Sequence, residues 1–165
     1  MSKAVLISIR PKWVEKIASG EKTIEVRKTR PKLATPFKCY IYCTLPKYPH
    51  EDFIATDYPR PQFYGGGKVI GEFTCERIAF IAYDGGELSS TTNAVFSPAT
   101  CLTQSENIAY IGDKGRWYGW HISDLRIYDQ PKGLDEFTRL RETKFGSEPV
   151  TIKRPPQSWC YVEEG

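Results

Sequence analysis

Alternation of apolar with polar or small residues, at a period of two, is the feature that most restricts the fold of this chain. The first example is AVLISIR at 4–10, where Val5, Ile7 and Ile9 share one face of a strand. Similar alternation, or enrichment in aromatic and β-branched residues, predicts further strands at 22–28, 37–45, 68–83, 116–129 and 155–164. The chain is therefore predicted to be built mainly from β-strands.

Two or three short helices are predicted between these strands. PKWVEKIASG at 11–20 has proline in its first turn, apolar residues at helical spacing and Gly20 after its end. Thr103 followed by Glu106 fits a capping box, and GLDEFTRLRE at 133–142 is compatible with another helix. Five to six strands with so few helices favour an α+β fold, a closed or half-closed barrel. A doubly wound sheet would require regular strand–helix alternation.

The length and composition fit one folded domain spanning residues 1–165. Hydrophobic residues make up 40% of the chain and charged residues 26%, which are ordinary globular values. No apolar run approaches the roughly 18 residues of a membrane-spanning helix. The first strand begins almost at once, without the basic region and long apolar core of a secretory signal. We therefore expect a cytoplasmic protein that does not bind membranes.

Cysteine usage argues against a metal site or a disulfide framework. The five cysteines are odd in number and none forms a CxxC pair. His50 and His121 are the only histidines. We therefore expect reduced thiols and no metal or other cofactor.

Basic residues are concentrated near the N-terminus. Residues 1–47 contain 11 Lys/Arg and 3 Asp/Glu, whereas 48–165 contain 12 and 17. Such an imbalance predicts a face suited to phosphate groups. Solvation of exposed strands by lysine and arginine is the alternative, and charge alone leaves both open.

A long loop is predicted at 46–67, PKYPHEDFIATDYPRPQFYGGG, which contains four prolines and a glycine triplet. The loop has more aromatic residues than a linker needs. A protein-interaction module that docks a partner through this loop is therefore one of the functions that remain open.

The segment GEKTIEVR at 20–27 concentrates charge between the first helix and the next strand. Lys22 offers a compact cation, and Arg27 offers a planar fork for a phosphate or a base edge. Glu25 lies on the same strand face as Arg27, whereas Lys22 has the opposite parity. An exposed Glu25–Arg27 ion pair on an edge strand is the alternative to a shared site.

This pattern, G-x-K-x-x-E-x-R after a strand and a helix that ends in glycine, resembles the signature of ASCH (activating signal cointegrator homology) domains. These domains are relatives of the PUA RNA-binding fold. The segments 120–129 and 155–164 resemble the late strands of small bacterial and phage-borne members, while 46–67 and 84–102 are not covered. The resemblance implies a PUA-like mixed β-barrel that binds RNA or a modified nucleotide or nucleoside.

The resemblance also implies two hydrolase alternatives. Some members are amidohydrolases of N4-acetylcytidine that use a Lys, a Thr and a Glu. Lys22 matches the Lys, but Glu25 stands where the nucleophilic Thr is expected, so Lys22 and Glu25 would be catalytic only in a different mechanism. Other members are metal-independent ribonucleases that use a Lys, a Tyr and a Ser, for which Tyr40, Tyr42 and Ser123 are candidates.

Further candidates come from strand ends and aromatic runs. Arg10, at the end of the first strand, would project toward the same cleft or remain a surface cation. Trp117, Trp120 and His121 would stack on a base or form the core. The predicted nucleic-acid-binding residues are therefore Arg10, Lys22, Glu25, Arg27, Tyr42, Trp120 and Ser123. The oligomeric state is left open.

Overall fold

A computed structural model of the chain describes residues 2–45, 66–84, 87–88, 98–102, 106 and 116–165. These ranges contain nine strands and an N-terminal helix. The elements in chain order are β1 (Lys3–Ile9), α1 (Pro11–Ala18), β2 (Ile24–Arg27), β3 (Phe37–Cys43), β4 (Lys68–Asp84), β5 (Glu87–Leu88), β6 (Arg116–Lys132), β7 (Thr138–Thr143), β8 (Gly146–Thr151) and β9 (Trp159–Glu163).

The main sheet is mixed and curled but open. Its strand order is β2-β6-β4-β3-β1-β9, with β5 paired to β4 and only β1–β3 parallel. The end strands β2 and β9 form no backbone ladder with each other in the described part of the chain. The predicted mixed β-architecture is thus confirmed in outline, whereas a closed barrel is not formed.

Side chains bridge the two ends of this sheet. The indole Nε1 of Trp159 donates to Thr29 Oγ1 at 2.9 Å, and the backbone N–H of Lys32 donates to the Tyr161 hydroxyl at 2.7 Å. We call this contact between the β2 end and the β9 end the seam. At the seam, contacts through side chains take the place of the backbone ladder that would join these two ends in a closed barrel.

The sheet buries apolar side chains on both faces. Val5 and Ile7 belong to one core cluster, together with Trp120, while Ala4 and Leu6 belong to a second cluster on the other face. All these residues are essentially inaccessible. Alternation in β1 therefore separates two cores rather than a core and a wet face, which is why the sequence pattern contains so few polar residues.

The helix expected within 133–142 is wrong. A 3-10 turn at Leu134–Glu136 is followed by β7, which pairs with β8 as a separate two-stranded sheet. Gly146, at a φ of 113°, allows the tight turn between them. Packing decides the outcome, because buried Phe137 and Ile152 anchor the base of the hairpin to the second core cluster.

The helix α1 forms where the sequence predicts it, with Pro11 in its first turn. Two other predictions fall largely outside the described residues: the capping box at Thr103 and the loop at 46–67, of which only positions 66 and 67 are described.

All five cysteines are free thiols. Burial raises the pKa of Cys43 and of Cys75 to about 12, so neither forms a thiolate readily. Among the described helices, none has the length and apolar character needed to cross a lipid bilayer.

Substituting Gly71→Ala is expected to destabilise the protein. A Cβ at this position near the start of β4 would lie 2.5 Å from the backbone oxygen of Arg126 in β6, so the two strands would have to separate. We expect a loss of about 1–3 kcal/mol in the free energy of unfolding, measured by urea denaturation. Glu76→Ala, at an exposed site in the same strand, is the control, and equal losses would contradict this account.

Candidate functional site

A cleft of about 560 Å³ opens where the end of β1, the start of α1, β2 and the segment before β9 meet. Its described lining contains the cations Arg10, Lys22 and Arg27 and the carboxylates Glu25 and Glu106. The other lining residues carry no charge: Ser8, Ile9, Trp13, Val26, Thr44, Leu102, Gln157 and Ser158. The described lining therefore has one excess positive charge.

Lys22 lies on the floor of the cleft and is only 2% exposed. Its Nζ donates to the backbone oxygen of Thr100 at 2.5 Å and lies 5.2 Å from the centroid of the Trp13 ring. The parity objection to Lys22 does not apply, because β2 begins at Ile24 and not at residue 22. Gly20, at a φ of 85°, makes the turn that brings Lys22 beneath the helix.

Glu25 has one satisfied and one open carboxylate oxygen. Oε1 accepts from Nε of Arg27 at 3.2 Å. Oε2 is buried, has no hydrogen-bond partner, and lies 3.6 Å from Nζ of Lys22, an ion-pair distance. A buried acceptor without a donor is costly, so Oε2 is the atom of this cluster best placed to receive a ligand N–H.

Arg27 is fully engaged within the protein. Nη2 donates to the backbone oxygen of Ser8 at 2.7 Å, and Nη1 contacts the backbone oxygen of Ser158 at 3.3 Å and its Oγ at 3.2 Å. The prediction that this fork reads a base or a phosphate is not supported by its geometry, because its donors already have partners. Arg27 instead positions Glu25 and joins β2 to β1 and to the segment before β9.

The exposed edge-strand pair considered for Glu25 and Arg27 is wrong. The residues are 6% and 8% exposed, respectively, although β2 is an end strand of the sheet. Ionised groups are rarely buried this deeply unless they are paired, and such clusters concentrate at functional sites. Lys22, Glu25 and Arg27 thus form one buried cluster on the cleft.

Arg10 and Trp13 form the rim and a wall of the cleft. Arg10 is exposed, and its side chain makes no capping hydrogen bond although it stands at the N-cap of α1. Trp13 is half-buried, with Nζ of Lys12 4.6 Å from its ring centroid. Trp13 is not among the predicted binding residues, because its helical spacing indicates only a core-facing position.

Three predicted binding residues do not reach the cleft. Tyr42 is buried on the other face of β3, in the second core cluster. Trp120 is fully buried against Phe37, with ring centroids 5.9 Å apart. Ser123 Oγ donates to the backbone oxygen of Thr74 at 3.1 Å. Strand parity directs the two aromatic side chains into the cores.

The remaining aromatic and hydroxyl candidates also lie elsewhere. Tyr40 belongs to the second core cluster, and Trp117 is fully buried. Burial lowers the pKa of His121, which favours its neutral form. Within the described ranges, no group of three or more His, Cys, Asp or Glu is arranged to hold a metal ion.

No protein-family model and no curated protein matches the chain. Solved structures do match it. The crystal structure of ASCH from Zymomonas mobilis aligns with 98% of this chain and 88% of its own, at 20% identity and a TM-score of 0.56. Two single-residue mutants of that protein align similarly. The tyrosine-to-phenylalanine form has 20% identity, coverages of 99% and 92%, and a TM-score of 0.57. The serine-to-alanine form has 19% identity, coverages of 98% and 89%, and a TM-score of 0.57.

This likeness covers nearly the whole length of the chain. The protein therefore has the fold of the ASCH structures, as the G-x-K-x-x-E-x-R pattern at 20–27 predicts.

Replacing Arg27 with methionine is expected to destabilise the fold. The change leaves Glu25 buried without its hydrogen-bonded partner and removes the contacts to Ser8 and Ser158. We expect a loss of about 3 kcal/mol or more in the free energy of unfolding, measured by urea denaturation. Arg30→Met, at an exposed position, is the control and should change stability by less than about 0.5 kcal/mol. Equal effects of the two substitutions would contradict the structural role of Arg27.

Proposed function

We propose that the cleft binds one nucleotide unit of a single-stranded RNA or a modified nucleotide. The observation that carries this proposal is the buried cluster of Lys22, Glu25 and Arg27 in the lining of the cleft, with Oε2 of Glu25 lacking a hydrogen-bond donor. A pocket with a few convergent polar groups is the usual form of a small-ligand site, and its volume is within the range of such sites.

Each wall of the cleft matches one part of a nucleotide. Oε2 of Glu25 would accept a hydrogen bond from an exocyclic amino group, as carboxylates accept from cytosine N4. Lys22 beside it would donate to a neighbouring base carbonyl. Trp13 would stack on the base, and Arg10 at the rim would contact the phosphate. Arg27 would act only indirectly, by holding Glu25 in place.

Two further observations support a nucleic-acid ligand. The fold is shared with ASCH structures, a family related to the PUA RNA-binding fold. Residues 1–47, which supply most of the cleft, carry a net charge of +8 (11 Lys/Arg against 3 Asp/Glu), whereas residues 48–165 carry −5 (12 against 17). A polyanionic nucleic acid fits both observations.

Substituting Arg10→Ala is expected to weaken RNA binding and its dependence on salt. Loss of one phosphate contact should reduce the magnitude of the slope of log affinity against log salt by about one. The reason is that fewer counterions are released from the RNA when the protein binds. The measurement is fluorescence anisotropy of a short labelled single-stranded RNA across a salt titration. Lys144→Ala removes one exposed charge from the hairpin turn, outside the cleft, and is the matched control.

Two results would contradict this assignment. Arg10→Ala and Lys144→Ala would reduce the slope equally if binding followed net charge and not the cleft. An absence of binding to any RNA would favour the alternative in which the 46–67 segment docks a protein partner.

Incubation with N4-acetylcytidine is expected to yield negligible acetate. A carboxylate stands at position 25, where the resemblance implies a nucleophilic threonine, and a carboxylate does not replace a hydroxyl nucleophile unaided. Chromatographic detection of cytidine over time provides the measurement, with binding of the intact nucleoside followed in parallel. Rapid deacetylation that is lost in Lys22→Ala would instead make the protein a hydrolase.

A further inference from the structure

Exposed cations flank the seam on both sides. Residues 28–32 follow Arg27 of the cleft and contain three exposed cations and no acidic residue. Residues 152–158 lead into β9 and contain two exposed cations and no acidic residue. None of these cations belongs to the described lining of the cleft. We call this set the seam strip: Lys28, Arg30, Lys32, Lys153 and Arg154.

The half of the strip on residues 28–32 starts at the cleft and runs alongside β9. Three successive contacts join residues 27–32 to residues 158–161: Nη1 of Arg27 to Ser158 Oγ at 3.2 Å, Nε1 of Trp159 to Thr29 Oγ1 at 2.9 Å, and the N–H of Lys32 to the Tyr161 hydroxyl at 2.7 Å. Because the contacts follow the same order in both segments, the two segments run in parallel. The path from residue 27 to residue 32 is at most about 18 Å long.

The half of the strip on residues 152–158 reaches the cleft from the other side. Ser8 Oγ donates to the backbone oxygen of Pro156 at 2.6 Å, and Gln157 belongs to the cleft lining. Arg154 is three residues before Gln157, so the Cα atoms of these two residues are at most about 11 Å apart. Both halves of the strip therefore lead to the cleft.

Most of the positive charge of the strip is left without a carboxylate in the described chain. The side chains of Lys32, Lys153 and Arg154 form no hydrogen bond or ion pair with another described residue. Arg30 donates only to backbone oxygens of its own segment. A row of cations without carboxylates complements a chain of phosphate groups.

Aromatic side chains lie between the two halves of the strip. Trp159 and Tyr161 are half-buried on one face of β9, with ring centroids 5.3 Å apart. A cationic path with aromatic surface along it is the usual form of a site for single-stranded nucleic acid. A small anion would use the cations but not this surface.

We propose that the ligand of the cleft is a single strand of RNA whose backbone leaves the cleft along the seam strip. This inference rests on the proposed function, because the nucleotide in the cleft is the point from which the strand runs. The cleft and the strip together would hold about four nucleotides, the small end of the range for single-strand-binding domains. Phosphate contacts carry no sequence information, so the strip supplies affinity while the cleft selects the base.

Two other forms of the ligand fit the strip less well. A free nucleotide would occupy the cleft and leave the strip unused. A duplex would first have to flip one nucleotide out of its stack to fill the cleft, at a cost of a few kcal/mol.

The test uses the full chain and two probes, cytidine 5′-monophosphate and a fluorescent single-stranded RNA of about eight cytidines, a length within the range of such sites. Isothermal titration calorimetry measures binding of the mononucleotide, and fluorescence anisotropy measures binding of the RNA. We expect the RNA to bind at least about tenfold more tightly, because it also releases counterions along the strip. Its affinity should fall more steeply with salt than that of the mononucleotide.

A double variant, Lys32→Gln with Arg154→Gln, removes one cation from each half of the strip. Neither side chain contacts another described residue, so the thermal unfolding midpoint should not change. Affinity for the RNA should fall about tenfold at physiological salt, and the magnitude of the salt slope should fall by about one to two. Affinity for the mononucleotide should stay the same.

Two further variants serve as references. Arg126→Gln with Lys144→Gln removes the same charge from exposed positions outside the cleft and the strip, and it should leave both affinities unchanged. Arg10→Ala removes a cation of the cleft itself and should weaken both probes.

Failure of this inference and failure of the proposed function give different results. If the RNA bound no more tightly than the mononucleotide, or if the strip variant and its charge-matched reference had equal effects, the strand path would be wrong and the nucleotide cleft would stand. If Arg10→Ala changed neither affinity, or if neither probe bound, both proposals would be wrong.

Discussion

The interaction on which this structure depends is the guanidinium of Arg27, which reaches from one end of the open sheet to the other. It contacts Glu25 on its own strand, Ser8 on β1 and Ser158 just before β9. Backbone ladders cannot join these ends in the described chain, so a side chain does. The cost of burying a charge is offset by hydrogen bonds to every branch of its fork.

Use of Arg27 at the seam determines what the cleft can do. The N–H groups of Arg27 already donate to protein acceptors. The groups that remain for a ligand are therefore Oε2 of Glu25, the ammonium of Lys22 and the rim cation Arg10. A site with one open acceptor beside one cation favours a ligand that presents a donor and an acceptor side by side. A simple anion would satisfy only the cations.

Sequence patterns predicted the long strands along the chain, the helix α1 and, from 20–27, the likeness to ASCH structures, because these depend on local periodicity and on a glycine turn. They did not predict the β7–β8 hairpin, since GLDEFTRLRE has no intrinsic strand signal and becomes a strand through packing at Phe137. The sequence also did not predict that the side chains of Tyr42 and Trp120 lie in the cores. Which face of a strand lines a cleft depends on the curl of the whole sheet. Lys22 reached the cluster because the strand began two residues later than the periodicity indicated.

The sharing of Arg27 between cleft and seam means that occupancy and folding are thermodynamically linked. A molecule that hydrogen-bonds to Glu25 would strengthen the network that keeps the two sheet ends together, and it would bind the native state far better than the unfolded chain. The melting temperature would then report on ligands directly. Libraries of nucleosides could be ranked by thermal shift before any reaction or biological partner is known.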